Sequence, residues 1–187
     1  KFSEYVRTPF QLDHGEDVLE NWLESNPGCI LEEWKLLFIG RQVRTNLYGI
    51  IDLLGIDRNG NIVVLELRKN LTSRETLAQA LEYVSFVARL DAEQIEEIFR
   101  LYKDDDSVSL AECHRDYFDI YPGEAVAFNK DQRIVIVGQN ITPNIRQTAS
   151  FLCSRGIEVT CVEFSFFQVS ERNHLIVHEF VVGKESD

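Results

Sequence analysis

The sequence predicts an α/β fold with a mixed central sheet flanked by helices. Strand-like and helix-like segments alternate along the chain. One hairpin is apolar on both faces, as expected of a central strand pair covered on both sides. A strand–helix–strand run follows near the C-terminus. With 187 residues, 44% apolar and 27% charged, the chain has ordinary globular composition and enough length for one domain with a sizeable core.

The elements follow in order. Asp13, with Glu16 three residues later, has capping-box spacing. Val18, Leu19, Trp22 and Leu23 then make a helical stripe that Asn26-Pro27-Gly28 ends, so a helix is expected over 13–25. Extended segments are expected near 34–43, 48–56 and 61–68, the last two joined by Asp57-Arg58-Asn59-Gly60, a hairpin signal. Thr72 and Glu75 form a second capping box for a helix over 73–90, and further helices fit 92–102 and 110–118. Lys103–Asp106 reads as a solvated helix end. Arg133–Gly138 reads as a buried strand. Thr142-Pro143 then opens a helix that ends at Gly156, a left-handed cap, and strands near 157–169 and 174–182 complete the chain. No repeat or linker divides it, so residues 1–187 are expected to form a single domain.

Nineteen basic against 31 acidic residues leave a net charge of −12. That argues against a general nucleic-acid coat, which presents a basic patch, and suits a protein that gathers carboxylates around a cation. No apolar run approaches the roughly 20 residues of a membrane span. The N-terminal KFSEYVRTPF does not read as a signal peptide, and without an initiator Met the chain is expected to be trimmed or processed. Cys29, Cys113, Cys153 and Cys161 are far apart with no C-x-x-C pair, so reduced thiols in a soluble cytoplasmic protein are expected.

Two acids interrupt the apolar hairpin Gly49–Lys69. Ile50, Leu54, Ile56, Ile62 and Val64 are expected on one face, and Ile51, Leu53, Val63, Leu65 and Leu67 on the other, with Asp52 and Glu66 among them. A buried carboxylate costs several kcal/mol unless partnered. A three-residue loop, Arg58–Gly60, with Gly60 left-handed, sets Asp52 directly opposite Glu66, about 5 Å apart at Cβ. A two-residue loop would put them on opposite faces. In the first register Arg68 joins the same face. The two acids then surround a cation, either Arg68 itself in an ion triad or a hard divalent metal held by carboxylate and carbonyl oxygens.

Asp52, then Glu66-Leu67-Arg68, then Gln79-x-x-x-Tyr83 resembles the PD-(D/E)xK nuclease superfamily, whose core is a restriction-endonuclease-like sheet. The nearest likeness is to the nuclease domain of NucS-type mismatch endonucleases and RecB-like domains. It is supported by Leu19-Glu20-x-Trp22-Leu23, Ile39-Gly40-Arg41-Gln42-Val43-x-Thr45 and Gly49–Gly55. The motif core spans about 16–88, with a weaker likeness over 133–182. The resemblance implies a DNA-cleaving nuclease that uses Mg²⁺ or Mn²⁺. Asp52, Glu66 and the Leu67 carbonyl resemble the metal ligands, Gln79 and Tyr83 the helix residues that approach the phosphate, and Glu20 or Glu16 the acid of the first helix. The chain departs from the pattern at Arg68, where Lys is usual. Arg stays protonated and supplies only charge and hydrogen-bond donors. Lys69 can replace it only if a bulge turns it inward.

A basic rim of Arg41, Arg44, Arg68, Lys69 and Arg74 would line a DNA groove. The alternative is a catalytically silent module that keeps the fold to bind DNA or a protein partner, such as one that supplies targeting. The aromatic tail Phe164, Phe166 and Phe167 reads as core or as a homodimer interface. His174 and His178 have zinc spacing only on a helix, and their surroundings read as strand. Cys113-His114 lacks a matching base and acid.

Overall fold

The doubly apolar hairpin stands at the centre of the sheet. The computed structural model describes residues 6–7, 16–26, 35–121, 123–168 and 174–183. Strands β1 (Val6–Arg7), β2 (Leu37–Arg44), β3 (Ile50–Ile56), β4 (Ile62–Leu71), β5 (Gln132–Asn140) and β6 (Glu158–Gln168) run in the order β1-β6-β5-β4-β3-β2, and β7 (His174–Val182) pairs with β6. The β4–β5 and β5–β6 pairs are parallel; the other pairs are antiparallel. Helices α1 (Glu16–Ser25), α2 (Arg74–Val87), α3 (Ala92–Lys103), α4 (Leu110–Phe118) and α5 (Pro143–Cys153) flank it. This is the mixed α/β sheet expected of a restriction-endonuclease-like fold. The Asp13 cap and Cys29 lie outside the described residues, as does the side chain of Glu16.

Each face has its own core. Leu53, Val63, Leu65, Leu67, Val135, Val137, Val162, Phe164 and Phe166 pack with Leu19 and Leu23 of α1. On the other face Leu54, Ile56, Ile62 and Val64 meet Tyr83, Val87, Ile95, Phe99 and Phe118. There, too, Ile134, Ile136 and Val159 meet Leu77, Ala80 and Ile145. Full burial of such a side chain contributes about 1.5–3 kcal/mol. Phe164 and Phe166 are therefore core, and do not form an exposed interface.

The hairpin loop is Arg58–Gly60. Asp57 N–H donates to the Asn61 carbonyl at 3.0 Å, and Gly60 has φ +86°. The β3–β4 ladder runs from Ile56↔Ile62 to Leu53↔Leu65. The alternation fails at one place. Ile51 was expected with Leu53 but packs in the opposite layer, with Leu54 and Ile56. At the same level of β2, Gln42 adopts φ +50° between Arg41↔Leu53 and Val43↔Ile51, and Val43 packs in the same layer as Ile51.

Other boundaries shift for tertiary reasons. Thr72 was expected to cap α2, but Ser73 takes that place, its N–H donating to Thr76 Oγ1 at 3.3 Å. Thr72 is fully buried, its hydroxyl donating to the Asn140 carbonyl (3.0 Å) and accepting from Thr142 N–H (3.1 Å). It ties the start of α2 to the start of α5. Beyond Val87 the chain tightens, with Arg89 and Leu90 N–H groups bonding three residues back. Asn129 Nδ2 holds the Val87 and Leu90 carbonyls there. The β4–β5 irregularity falls between Arg68 and Leu71, past Arg68 and not at it.

His114 of α4 is buried between Phe118 and Phe128, with Nε2 2.7 Å from the Asp57 carbonyl. Burial holds its pKa below the ordinary value, while its bond to Asp57 opposes the shift. The unfolded chain therefore takes up this proton first as pH falls. The stability that neutral His114 contributes is full above about pH 6.5 and is lost as pH drops through the lower folded value. Urea melts at pH 7.5, 6.5 and 5.5 should show falling stability, with a shallower slope in His114→Gln.

Candidate active site

The register that the Gly60 turn imposes brings Asp52 to the level of Glu66. The backbone ladder stops one residue short, and Asp52 continues it with its side chain, Oδ2 accepting the Leu67 N–H at 2.8 Å. Glu66 is 1% exposed, so its charge demands a partner. Arg68, two residues on, supplies it. Its Nη2 donates to Glu66 Oε1 and, at 2.7 Å, to Gln79 Oε1 of α2. Its Nη1 donates to the Leu67 carbonyl at 2.8 Å and lies 3.7 Å from Asp52 Oδ2. Gly138, paired with Arg68 on β5, sits where a Cβ would stand 3.0 Å from Thr72 and 3.2 Å from Ile141, so the strand packs closely there.

Tyr83 lies one helical turn past Gln79 and is nearly buried. Burial raises the pKa of its hydroxyl above the ordinary value. The negative charges of Glu66 and Asp52 push the same way, and a backbone hydrogen bond at Ile50 and the charge of Arg68 oppose them. The ring rests on Gly49, where a Cβ would stand 2.5 Å from Tyr83 Cε1. The turn before Gly49 is closed at both ends, by Thr45 N–H to the Gly49 carbonyl (2.9 Å) and Gly49 N–H to Thr45 Oγ1 (3.0 Å).

Thus Asp52, Glu66, Leu67, Arg68, Gln79 and Tyr83 come together at one end of the central strands. Glu20, buried on α1, is held by β2 instead. It accepts from Arg41 Nε at 3.1 Å and from Gln42 Nε2 at 2.8 Å. Gln42 stands on the strand position opposite Asp52. In the sequence it stands within the Ile39–Thr45 stretch with no role of its own, because no local pattern marks a glutamine that takes a left-handed conformation inside a strand.

Two of the five residues of the expected basic rim are engaged by acids. Arg41 pairs with Glu20 and Glu24, and Arg68 with the two central acids. Arg74 lines a cleft of about 450 Å³ between α2 and α5, with Leu77, Leu81 and Ile145. Arg44 is exposed at the end of β2.

Among the described residues no three His, Cys, Asp or Glu side chains cluster closely enough to hold a metal ion. The donor set is mixed: two carboxylates and one backbone carbonyl. These are hard oxygens of the kind that Mg²⁺ and Mn²⁺ take, and all three already face one cation, the Arg68 guanidinium. The residues therefore fit a cation at this position.

This constellation is the one whose motifs resemble a nuclease domain, and two curated relatives each share a stretch of 73 residues with this chain. Endonuclease NucS of Pyrococcus horikoshii is 34% identical over 73 residues, which is 39% of this chain and 28% of that protein. Endonuclease NucS of Pyrococcus furiosus is 41% identical over 73 residues, covering 39% of this chain and 26% of that protein. The match thus spans little more than a quarter of those relatives. It bears out the resemblance to NucS-type nuclease domains. No protein-family model matches the chain. Among solved structures, an EndoMS–dsDNA2 complex aligns with TM-score 0.46 at 23% identity, covering 87% of this chain and 48% of that one. A repair endonuclease from Pyrococcus abyssi aligns with TM-score 0.45 at 21% identity, covering 81% and 48%.

The Gly49–Tyr83 contact is testable. Gly49→Ala should cost about 1–3 kcal/mol in urea denaturation, because the buried ring cannot yield. In a Tyr83→Ala background the same change should cost nearly nothing, a coupling that a double-mutant cycle reads directly.

Proposed function

We propose that this chain is a divalent-metal-dependent nuclease domain that hydrolyses DNA phosphodiester bonds. The observation that carries the reading is the convergence of Asp52, Glu66 and the Leu67 carbonyl on a single cation position. The relatives named Endonuclease NucS support the DNA substrate. Asp52, Glu66 and Leu67 would hold Mg²⁺ or Mn²⁺. Such an ion, when bound, lowers the pKa of a water and stabilises the leaving oxygen. Arg68 would place positive charge on the phosphate, with Gln79 and Tyr83 positioning it, and Glu20, held through Gln42, assisting from α1. The chain is read as one domain working in the cytoplasm, where Cys113, Cys153 and Cys161 remain the free thiols that they are here. Among the described residues no helix is long and apolar enough to cross a membrane.

A second reading, a silent module that binds DNA or a partner protein, is favoured by one feature. Arg68 engages all three oxygens that a metal would need. A permanently charged guanidinium in that position competes with any divalent ion.

Asp52→Asn and Glu66→Gln should each reduce Mn²⁺-dependent cleavage of plasmid or branched DNA by about a hundredfold or more, as several kcal/mol of lost stabilisation implies, and leave circular dichroism unchanged. Chelation should do the same. Loss of the fold in either variant would favour a purely structural ion triad. No cleavage by the wild type under any divalent ion would favour the silent module.

Arg68 has its own signature. Arg68→Gln should tighten Mn²⁺ binding to the free protein by about tenfold or more in calorimetry, because a competing cation is removed. Arg68→Lys should raise turnover in a working but weakened nuclease and change nothing in a silent one.

A further inference from the structure

Beside the candidate site the chain presents a feature that the fold does not explain. The turn Thr45–Gly49 between β2 and β3 carries Leu47 at 63% exposure and Tyr48 at 99%, and Ile50 just beyond it is 43% exposed. Tyr48 also adopts φ +65°, the left-handed conformation that glycine or asparagine takes at little cost. Gly49 is next to it and Asn46 two places before, yet the strained position is given to an aromatic residue. With its side chain almost wholly in solvent, Tyr48 gains no packing that would offset either the strain or the exposed ring. Backbone strain retained without structural compensation is characteristic of functional sites.

The tip is firmly mounted. The two Thr45–Gly49 hydrogen bonds close its base, and Gly49 sits against the buried Tyr83 ring of the candidate site. Tyr48 is four residues from Asp52, so their Cα atoms are at most about 14 Å apart. That is about four base-pair steps of a duplex at 3.4 Å each. Exposed Arg44 immediately precedes the turn.

We propose that this tip reads nucleobases next to the scissile phosphate, with Tyr48 stacking on or wedging between bases of duplex DNA, Leu47 following it, and Arg44 meeting the backbone. The inference rests on the nuclease reading and adds a base-contacting element to it. Aromatic faces stack on any base, and apolar wedges enter at unstacked steps. The tip therefore contacts bases by their faces and tolerates any sequence.

The test measures binding without cleavage. Fluorescence anisotropy of a labelled mismatched duplex, with chelator present, compares wild type, Tyr48→Gly and Tyr48→Phe. Tyr48→Gly should weaken binding by about tenfold or more, in line with loss of one stacked aromatic. It should also raise the melting temperature by about 2–4 °C, because glycine relieves the left-handed strain, so weakened binding cannot be attributed to misfolding. Tyr48→Phe should bind like wild type, because the ring is kept. Wild-type binding that Tyr48→Gly leaves unchanged overturns this inference alone, and a wild type that binds no duplex overturns the nuclease reading with it. A lowered melting temperature in Tyr48→Gly would show a Tyr48 that the fold itself needs, against the proposal. So would loss of self-association in sedimentation with duplex affinity intact, which makes the tip a contact between copies of the chain.

Discussion

Glu66 is buried in the middle of a seven-stranded sheet, and much of what surrounds it follows from the need to neutralise it. A carboxylate with 1% exposure is tolerable only beside a cation held by further hydrogen bonds. Arg68 is placed for that role by strand alternation alone, since residues two apart share a face. Its guanidinium is then oriented by three other oxygens, from Leu67, Gln79 and Asp52. Helix α2 delivers Gln79 to the same point. The sheet, one helix and one turn therefore all bear on a single buried negative charge.

The same arrangement makes the site ambivalent in a physically specific way. Two carboxylates and a carbonyl form a good oxygen cage for a hard divalent ion, and an equally good seat for a guanidinium. A lysine at the same position would offer a compact charge able to lose its proton. Arginine keeps its charge at every physiological pH. On the proposed reading, a divalent ion and Arg68 would compete for the same oxygens.

Net acidity had left open whether basic residues could gather into a substrate groove. The structure answers through pairing. Arg41 is drawn into the acids of α1, with Glu24 further held by the Tyr102 hydroxyl at 2.6 Å, so this part of the surface serves to fasten α1 to β2. What the molecule offers near the site is a strained turn with an exposed aromatic ring and Arg44 at its base. Two left-handed non-glycine residues, Gln42 and Tyr48, bracket that end of β2. One stands at the level of Asp52, and the other is in the tip.

Much of this was legible in the residues alone, for local reasons. Arg58-Asn59-Gly60 allows a three-residue loop or a two-residue one; the structure takes the three-residue loop, that loop sets the hairpin register, and a period of two then commits Asp52, Glu66 and Arg68 to one neighbourhood. The left-handed Gly156 and the Pro143 helix start are likewise written in single residues whose backbone preferences allow little else. Tertiary structure alone decided the rest. Thr72 left its cap for β5, Ile51 crossed to the other core layer, and Glu20 was taken by Arg41 and Gln42. For Thr72 and Glu20 the deciding partner comes from a segment remote in sequence. Local spacing determines which way a side chain faces, but which of several competing charges and hydrogen-bonding groups it meets is settled only when the elements pack.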